Sequence, residues 1–217
     1  MPDPLPIAVL VSGSGSNLQA LIDSQQRGDL ACSIEIVISD RTDAYGLERA
    51  AQAGITTGVV PWSDFPDREA FTERLCATAE RFGARALVLA GFMRILPPLA
   101  VERFPDAIIN VHPALLPSFP GAHAVPQALA HGVKLTGVTV HFVDEEVDHG
   151  PIIAQEAVPV YPNDDEASLH ARIQAVEHRL LPDVVAAFGR GEIQVHGRHV
   201  TVKDRATAVD MQDEVAP

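Results

Sequence analysis

Apolar runs alternate with helix-spaced patterns through residues 7–100. Residues 7–11 (IAVLV) form a continuous apolar run, the pattern of a strand buried on both faces of a parallel sheet. A Gly/Ser turn over 12–17 follows, and Leu18, Leu21 and Ile22 then recur at helical spacing. Segments 34–38, 57–60 and 86–90 predict three further strands. Between them fall a short helix over 46–53, closed by Gly54, and a longer one capped by Asp67 and stopped at Gly83. This alternation predicts a parallel sheet with right-handed crossovers.

The second half changes character. Pro97 and Pro98 open a helix reaching Phe104, and 107–111 reads as a fifth strand. A Pro-rich loop over 112–121 leads to a short helix around 127–131. Segments 136–143 and 152–160 read as two strands, parallel or hairpin-paired, because the intervening 144–151 is long for a tight turn. A long helix over 166–188 precedes two short strand-like pieces beyond Gly191, and a polar tail from Lys203 is expected to be disordered. The expected fold is α/β: an open, mostly parallel, doubly wound sheet, Rossmann-like in its N-terminal half, with a mixed C-terminal extension. A single domain is expected over 1–202.

Composition adds bounds. The chain has 217 residues, 47% hydrophobic and 21% charged, the balance of an ordinary globular protein. Its 16 Lys and Arg stand against 29 Asp and Glu, a net charge of −13, which argues against a nucleic-acid or anionic-membrane surface. On charge alone a phosphorylated ligand is disfavoured too. Cys32 and Cys76 form no metal-ligand spacing and read as buried thiols in a reducing compartment. The N-terminus lacks a basic segment, and the run over 7–11 is far short of the about 20 apolar residues of a spanning helix. A cytoplasmic location is expected.

Four segments carry candidate chemistry. The turn Ser12-Gly13-Ser14-Gly15-Ser16-Asn17 lies between the first strand and the first helix, where backbone amides and the helix dipole meet an anion. Gly lets the backbone approach, while the Ser16 and Asn17 side chains add donors. A dinucleotide fingerprint would need Gly where Leu18 stands, although Asp40 ends the second strand as a ribose ligand would. A phosphate-sized anion fits better. Asn110 and His112 share one face at the carboxyl end of the fifth strand, a pairing suited to stabilising an oxyanion during acyl transfer.

Segment 141–166 contributes eight acids, Asp144, Glu145, Glu146, Asp148, Glu156, Asp164, Asp165 and Glu166, and no Lys or Arg. Asp148 stands out on a sharp turn with His149 and Gly150, and a carboxylate beside an imidazole raises the imidazole pKa. Spacing alone does not select which of these acids does so. His123, His131, His141, His149, His170 and His178 show no metal-ligand pattern and read as surface or core residues, so no metal is expected. Residues 91–96, after the fourth strand, can wall an apolar pocket whose backbone reads a flat heterocycle.

Together, segments 12–18 (SGSGSNL), 90–96 (AGFMRIL), 110–117 (NVHPALLP), 139–142 (TVHF) and 148–151 (DHGP) resemble, in order, the phosphoribosylglycinamide formyltransferases, over about residues 7–195. The resemblance implies formyl transfer from 10-formyltetrahydrofolate to the amine of glycinamide ribonucleotide, with no metal. It assigns Asn110, His112 and Asp148 to catalysis, and Gly15, Ser16, Asn17, Gln174 and Glu177 to the ribonucleotide. It assigns Arg68, Met93, Arg94, Ile95, Leu96, Asn110, Asp144 and Asp148 to the folate, Arg68 reaching its distal part. It divides the domain into a phosphate-binding half, 7–100, and a catalytic and folate-binding half, 101–202. It also implies a cis peptide before Pro117, and small-molecule substrates handled by a monomer or homodimer.

Three positions depart from the family's pattern: Ala114 where Ser is frequent, Ser118 where a basic residue is, and His149 where a small residue is. Related activities weigh against other features. A formyltetrahydrofolate hydrolase is expected to carry an N-terminal regulatory domain, and a methionyl-tRNA formyltransferase a C-terminal RNA-binding domain and basic surface. A nicotinamide oxidoreductase is opposed by Leu18 and the lack of a second nucleotide half. A non-catalytic binding module is opposed by the intact Asn110, His112 and Asp148 set.

Overall fold

β1 (Leu5–Val11) is covered on both faces because residues 7–11 are all apolar and every one is buried. Its alternation sends Ile7, Val9 and Val11 to one side of the sheet, and Ala8 and Leu10 to the other. The first set packs with α1 (Ser16–Arg27) and α6 (Glu166–Gly189). The second packs with Phe71, Leu75 and Cys76 of α3 (Arg68–Arg81). The structure, a computed structural model, describes residues 3–203.

The remaining strands are β2 (Cys32–Ser39), β3 (Thr57–Val59), β4 (Ala86–Leu89), β5 (Ile108–His112), β6 (Leu135–Phe142) and β7 (Ile152–Pro159). They form a seven-stranded sheet in the order β3-β2-β1-β4-β5-β6-β7. Pairing is parallel from β3 to β5, then antiparallel at β5–β6 and β6–β7, so the doubly wound sheet with a mixed extension is the observed fold. The last two strands of this sheet are therefore hairpin-paired, which settles the choice left open by the sequence. α2 (Tyr45–Gln52), α4 (Pro98–Arg103) and α5 (Ala124–His131) complete the helices around it. β8 (Ile193–His196) and β9 (His199–Val202) make a separate hairpin.

Two local details depart from expectation. A 3-10 turn over Trp62–Asp64 was not signalled, and α5 starts at Ala124 rather than near 127. Pro126 sits within its first turn, where a missing N–H leaves no intrahelical bond unmade. The tail beyond Lys203 lies outside the described residues.

Both cysteines are free and buried, and burial pushes their thiols up to about 12 for Cys32 and about 11 for Cys76, so both stay protonated. Asp67 caps α3 as its position suggested, accepting from the Ala70 N–H at 2.8 Å. Asp67→Ala is expected to cost about 1 kcal/mol in urea unfolding without altering the denaturant slope.

The sheet order fixes where a ligand can sit. The chain runs outward from β1 to β3, returns to β4 beside β1, and continues the other way. The loops leaving β1 and β4 diverge at this reversal, which opens a crevice at the carboxyl ends of the strands. Ser12 N–H donates to Gly91 O (3.1 Å), and Met93 N–H donates to Ser12 Oγ (2.9 Å), so the two loops are tied together there.

Candidate active site at the sheet reversal

The turn after β1 reaches α1 through Gly15, whose φ of +69° is left-handed. A Cβ there would also lie 2.6 Å from the Gly46 Cα, so the position requires glycine on two counts. α1 has no acidic residue in its first turn and no side-chain cap, which leaves its first amides open to a ligand. They face a cavity of about 340 Å³ that also takes in Met93, His123, His170 and Gln174. The opposite wall includes the N-terminus of α5, likewise uncapped and without an acid in its first turn. Two helix N-termini therefore open onto one cavity whose lining holds no Lys or Arg.

Gly15 and Ser16 stand where the sequence put them, and Gln174 Nε2 approaches Ser16 Oγ at 3.5 Å. Asn17 lines the same cavity, and its side-chain amide donates to Glu177 Oε2 at 3.0 Å across 160 positions, so one of its two N–H groups braces Glu177. Asn17 Oδ1 is buried without a partner.

Burial raises the Glu177 pKa, and the Asn17 amide opposes without cancelling it. A carboxyl raised on folding lowers native stability once pH exceeds its ordinary 4.5, and the penalty is absent below that. Glu177→Gln is therefore expected to raise the urea midpoint of the ligand-free protein at neutral pH, and to leave it unchanged in acid.

The three catalytic candidates converge from two segments. Asn110 and His112 end β5, and the β6–β7 turn brings Asp148 to them. His112 Nδ1 lies 3.3 Å from Asp148 Oδ2, and its Nε2 lies 2.8 Å from the Phe119 carbonyl. Asp148 Oδ2 also accepts from Gly121 N–H (2.7 Å), while Oδ1 faces Asn110 Nδ2 at 3.4 Å. Burial works to raise the Asp148 pKa, but the His141 ring, the Gly121 amide and the His112 ring together hold it below the ordinary carboxylate value. Burial pulls the His112 pKa below the usual imidazole value; Asp148 and the Phe119 carbonyl oppose that pull without reversing it. Asp148 thus supports the charged ring against desolvation.

His141, set aside in the sequence as a surface or core residue, belongs to this cluster. It pairs directly opposite Asn110 in the β5–β6 ladder and is 1% exposed. Its Nδ1 lies 2.7 Å from the Phe142 carbonyl, which makes that nitrogen the donor. Its Nε2 lies 3.1 Å from Asn110 Nδ2 and 3.7 Å from Asp148 Oδ1. The signal was present in the alternation of 139–142, but only the antiparallel register reveals what His141 faces. His123 and His170 are exposed, as expected, and both line the 340 Å³ cavity.

Beyond Met93 runs an open groove of about 460 Å³, walled by Trp62, Arg68, Ile95, Leu96, Pro97 and Glu145. Met93 is 70% and Ile95 47% exposed, an unusual outlay of apolar surface beside a cleft. Arg68 is thus at the groove and Asp144 on the adjoining turn, while Arg94 is committed elsewhere. Its Nε binds the buried Asp40 at 2.6 Å, and its guanidinium lies over the Trp62 ring. That bond also occupies the carboxylate a dinucleotide ribose would need. The acids of 141–166 are better compensated than their own segment suggests, since Asp164 pairs with Arg172 and Glu156 with Arg179 of α6.

Comparison with known proteins gives a consistent picture. The formyl transferase family pattern matches residues 5–185. The Escherichia coli phosphoribosylglycinamide formyltransferase is 44% identical over 190 residues, 88% of this chain and 90% of that protein. The human trifunctional purine biosynthetic protein adenosine-3 is also 44% identical, but the chain spans only 20% of it. Among solved structures, glycinamide ribonucleotide transformylase 1 from Symbiobacterium toebii superposes with a TM-score of 0.91 at 44% identity, covering 93% of this chain and 95% of that one. A formyltetrahydrofolate deformylase from Pseudomonas syringae gives 0.86 at 30% identity, covering 93% of this chain and 66% of that one. The cis Leu116–Pro117 peptide implied by the family resemblance is present. The chain belongs to the formyl transferase family.

Proposed function

We propose that the protein moves a formyl group from 10-formyltetrahydrofolate to the amine of glycinamide ribonucleotide. The observation that carries this reading is that the strand bearing Asn110 and His112 lends Val111 to a cavity onto which two helix N-termini open, while the turn bearing Asp148 lends Glu145 to the groove walled by Trp62, Ile95 and Leu96. The cavity takes the ribonucleotide: its phosphate lies against the amides of Gly13 to Asn17, and its ribose against Gln174 and Glu177. The groove takes the folate, with the flat ring system against Met93 to Leu96 and the distal part toward Arg68.

The substrate amine attacks the formyl carbon, and the carbonyl oxygen takes up the displaced electron pair. Asn110 Nδ2 and His112 Nδ1–H donate to that oxyanion, while His112 Nε2 stays on the Phe119 carbonyl. The Asn110 amide is directed to His141 and Asp148 and His112 Nδ1 to Asp148, so one Asn110 N–H and the Nδ1–H must turn to the substrate. Asp148 offsets the desolvation of a charged His112 and receives the proton leaving the amine, directly or through water. Collapse breaks the bond to the folate nitrogen, which takes a proton in return. Among the described residues no helix is long and apolar enough to cross a membrane. We place the reaction in the cytoplasm, where both thiols remain reduced. Mass spectrometry of the ribonucleotide after incubation with the folate tests the reading: it should gain the mass of one carbonyl, and an unchanged mass with consumed folate would point to hydrolysis.

A further inference from the structure

The turn that carries Asp148 is held from outside itself. Phe142 N–H donates to Pro151 O (2.9 Å) and closes its neck, where any side chain on Gly150 would run into the Phe142 carbonyl. Inside the turn, Val147 is exposed and Asp148 adopts a left-handed φ of +52°, a conformation that favours glycine and needs support from its surroundings. Asp144 gives local support, with Oδ1 accepting from Glu146 N–H (3.0 Å) and Oδ2 lying 2.7 Å from His149 Nδ1. Gly121 holds the Asp148 carboxylate from the β5 side.

The other external support comes from the β8–β9 hairpin, anchored by Ile193, Val195, Val200 and Val202 against the core. At its tip, Arg198 Nη2 donates to the His149 carbonyl at 2.7 Å. Arg198 Nη1 stands 3.3 Å from Nδ1 and 3.1 Å from Nε2 of the same ring. Near-equal distances to both nitrogens put the guanidinium over the imidazole, not in line with one lone pair. A planar guanidinium can stack this way while its second nitrogen holds a carbonyl; an ammonium cannot do both. Arg198 forms no ion pair among the described residues, so its contacts are spent on His149.

We propose that Arg198 is a positioning residue for formyl transfer: by gripping the peptide and ring of His149 it fixes the adjacent Asp148 carboxylate against His112. The proposal rests on the reading of Asp148 as the partner of His112 in the reaction. Misplacing a reacting group by an ångström can cost up to about 100-fold, and partial loosening is expected to cost less, so R198A should lower kcat roughly tenfold with the ribonucleotide KM unchanged. R198K should recover little of that loss.

A second readout needs no turnover. The His112 imidazole is titrated by NMR in the ligand-free protein, with thermal unfolding as a check on the fold. Deleting a nearby cation would by itself raise the His112 pKa, whereas loosening Asp148 lowers it, so the two effects have opposite signs. The expected result is a lower titration midpoint in R198A. A midpoint that is unchanged or raised, or a kcat equal to the parent's, overturns the proposal. If the parent protein shows no ribonucleotide-dependent turnover, formyl transfer fails as a reading while the titration still decides whether Arg198 positions Asp148.

Discussion

His112→Ala is expected to lower kcat by roughly 10²–10³-fold, the cost of removing one preorganised donor from a developing oxyanion. The ring is 4% exposed, with Nε2 held 2.8 Å from the Phe119 carbonyl and Nδ1 3.3 Å from Asp148, so its orientation is fixed before substrate arrives. That preorganisation is why truncation should fall on kcat and leave the KM of either substrate nearly unchanged. His112→Gln keeps a neutral donor of similar reach and should recover part of the loss. Steady-state kinetics on both variants, beside urea unfolding to separate folding defects, checks the assignment. A kcat for His112→Ala within about tenfold of the parent would remove His112 from the chemistry.

Asp148→Asn should cost about 10²-fold in kcat and also change its pH dependence. The Asp148 carboxylate is the largest influence opposing desolvation of the His112 cation. Neutralising it leaves burial less opposed, so the His112 pKa falls further. The step in the kcat–pH profile that belongs to His112 therefore moves to lower pH in the variant. The amide keeps the shape and can still face Gly121, so the turn should survive and the effect should be electrostatic. An unshifted profile would mean that another group supports the ring.

Much of this was legible in the sequence, for definite physical reasons. Five consecutive apolar residues after Leu5 and Pro6 specify a strand buried on both faces, and alternation alone put Asn110 and His112 on one face. What stayed hidden depends on register and long-range partners. His141 joins the cluster only because β6 runs antiparallel to β5 and sets it opposite Asn110. The Asn17 amide turns to a carboxylate on the distant α6, and Arg94 to the end of β2, neither of which local spacing encodes. Asp148 is singled out from its acidic neighbours by a left-handed turn that aims it inward. Net charge says least about the proposed ligand, because two helix N-termini opening onto one cavity are something a count of side-chain charges cannot register.

The central claim is that the amine of a ribonucleotide, not water, accepts the formyl group. It is tested by following deformylation of 10-formyltetrahydrofolate optically, with and without glycinamide ribonucleotide, on the same protein. The account predicts turnover only when the ribonucleotide is present. Deformylation at a comparable rate without it would contradict the account and identify a hydrolase.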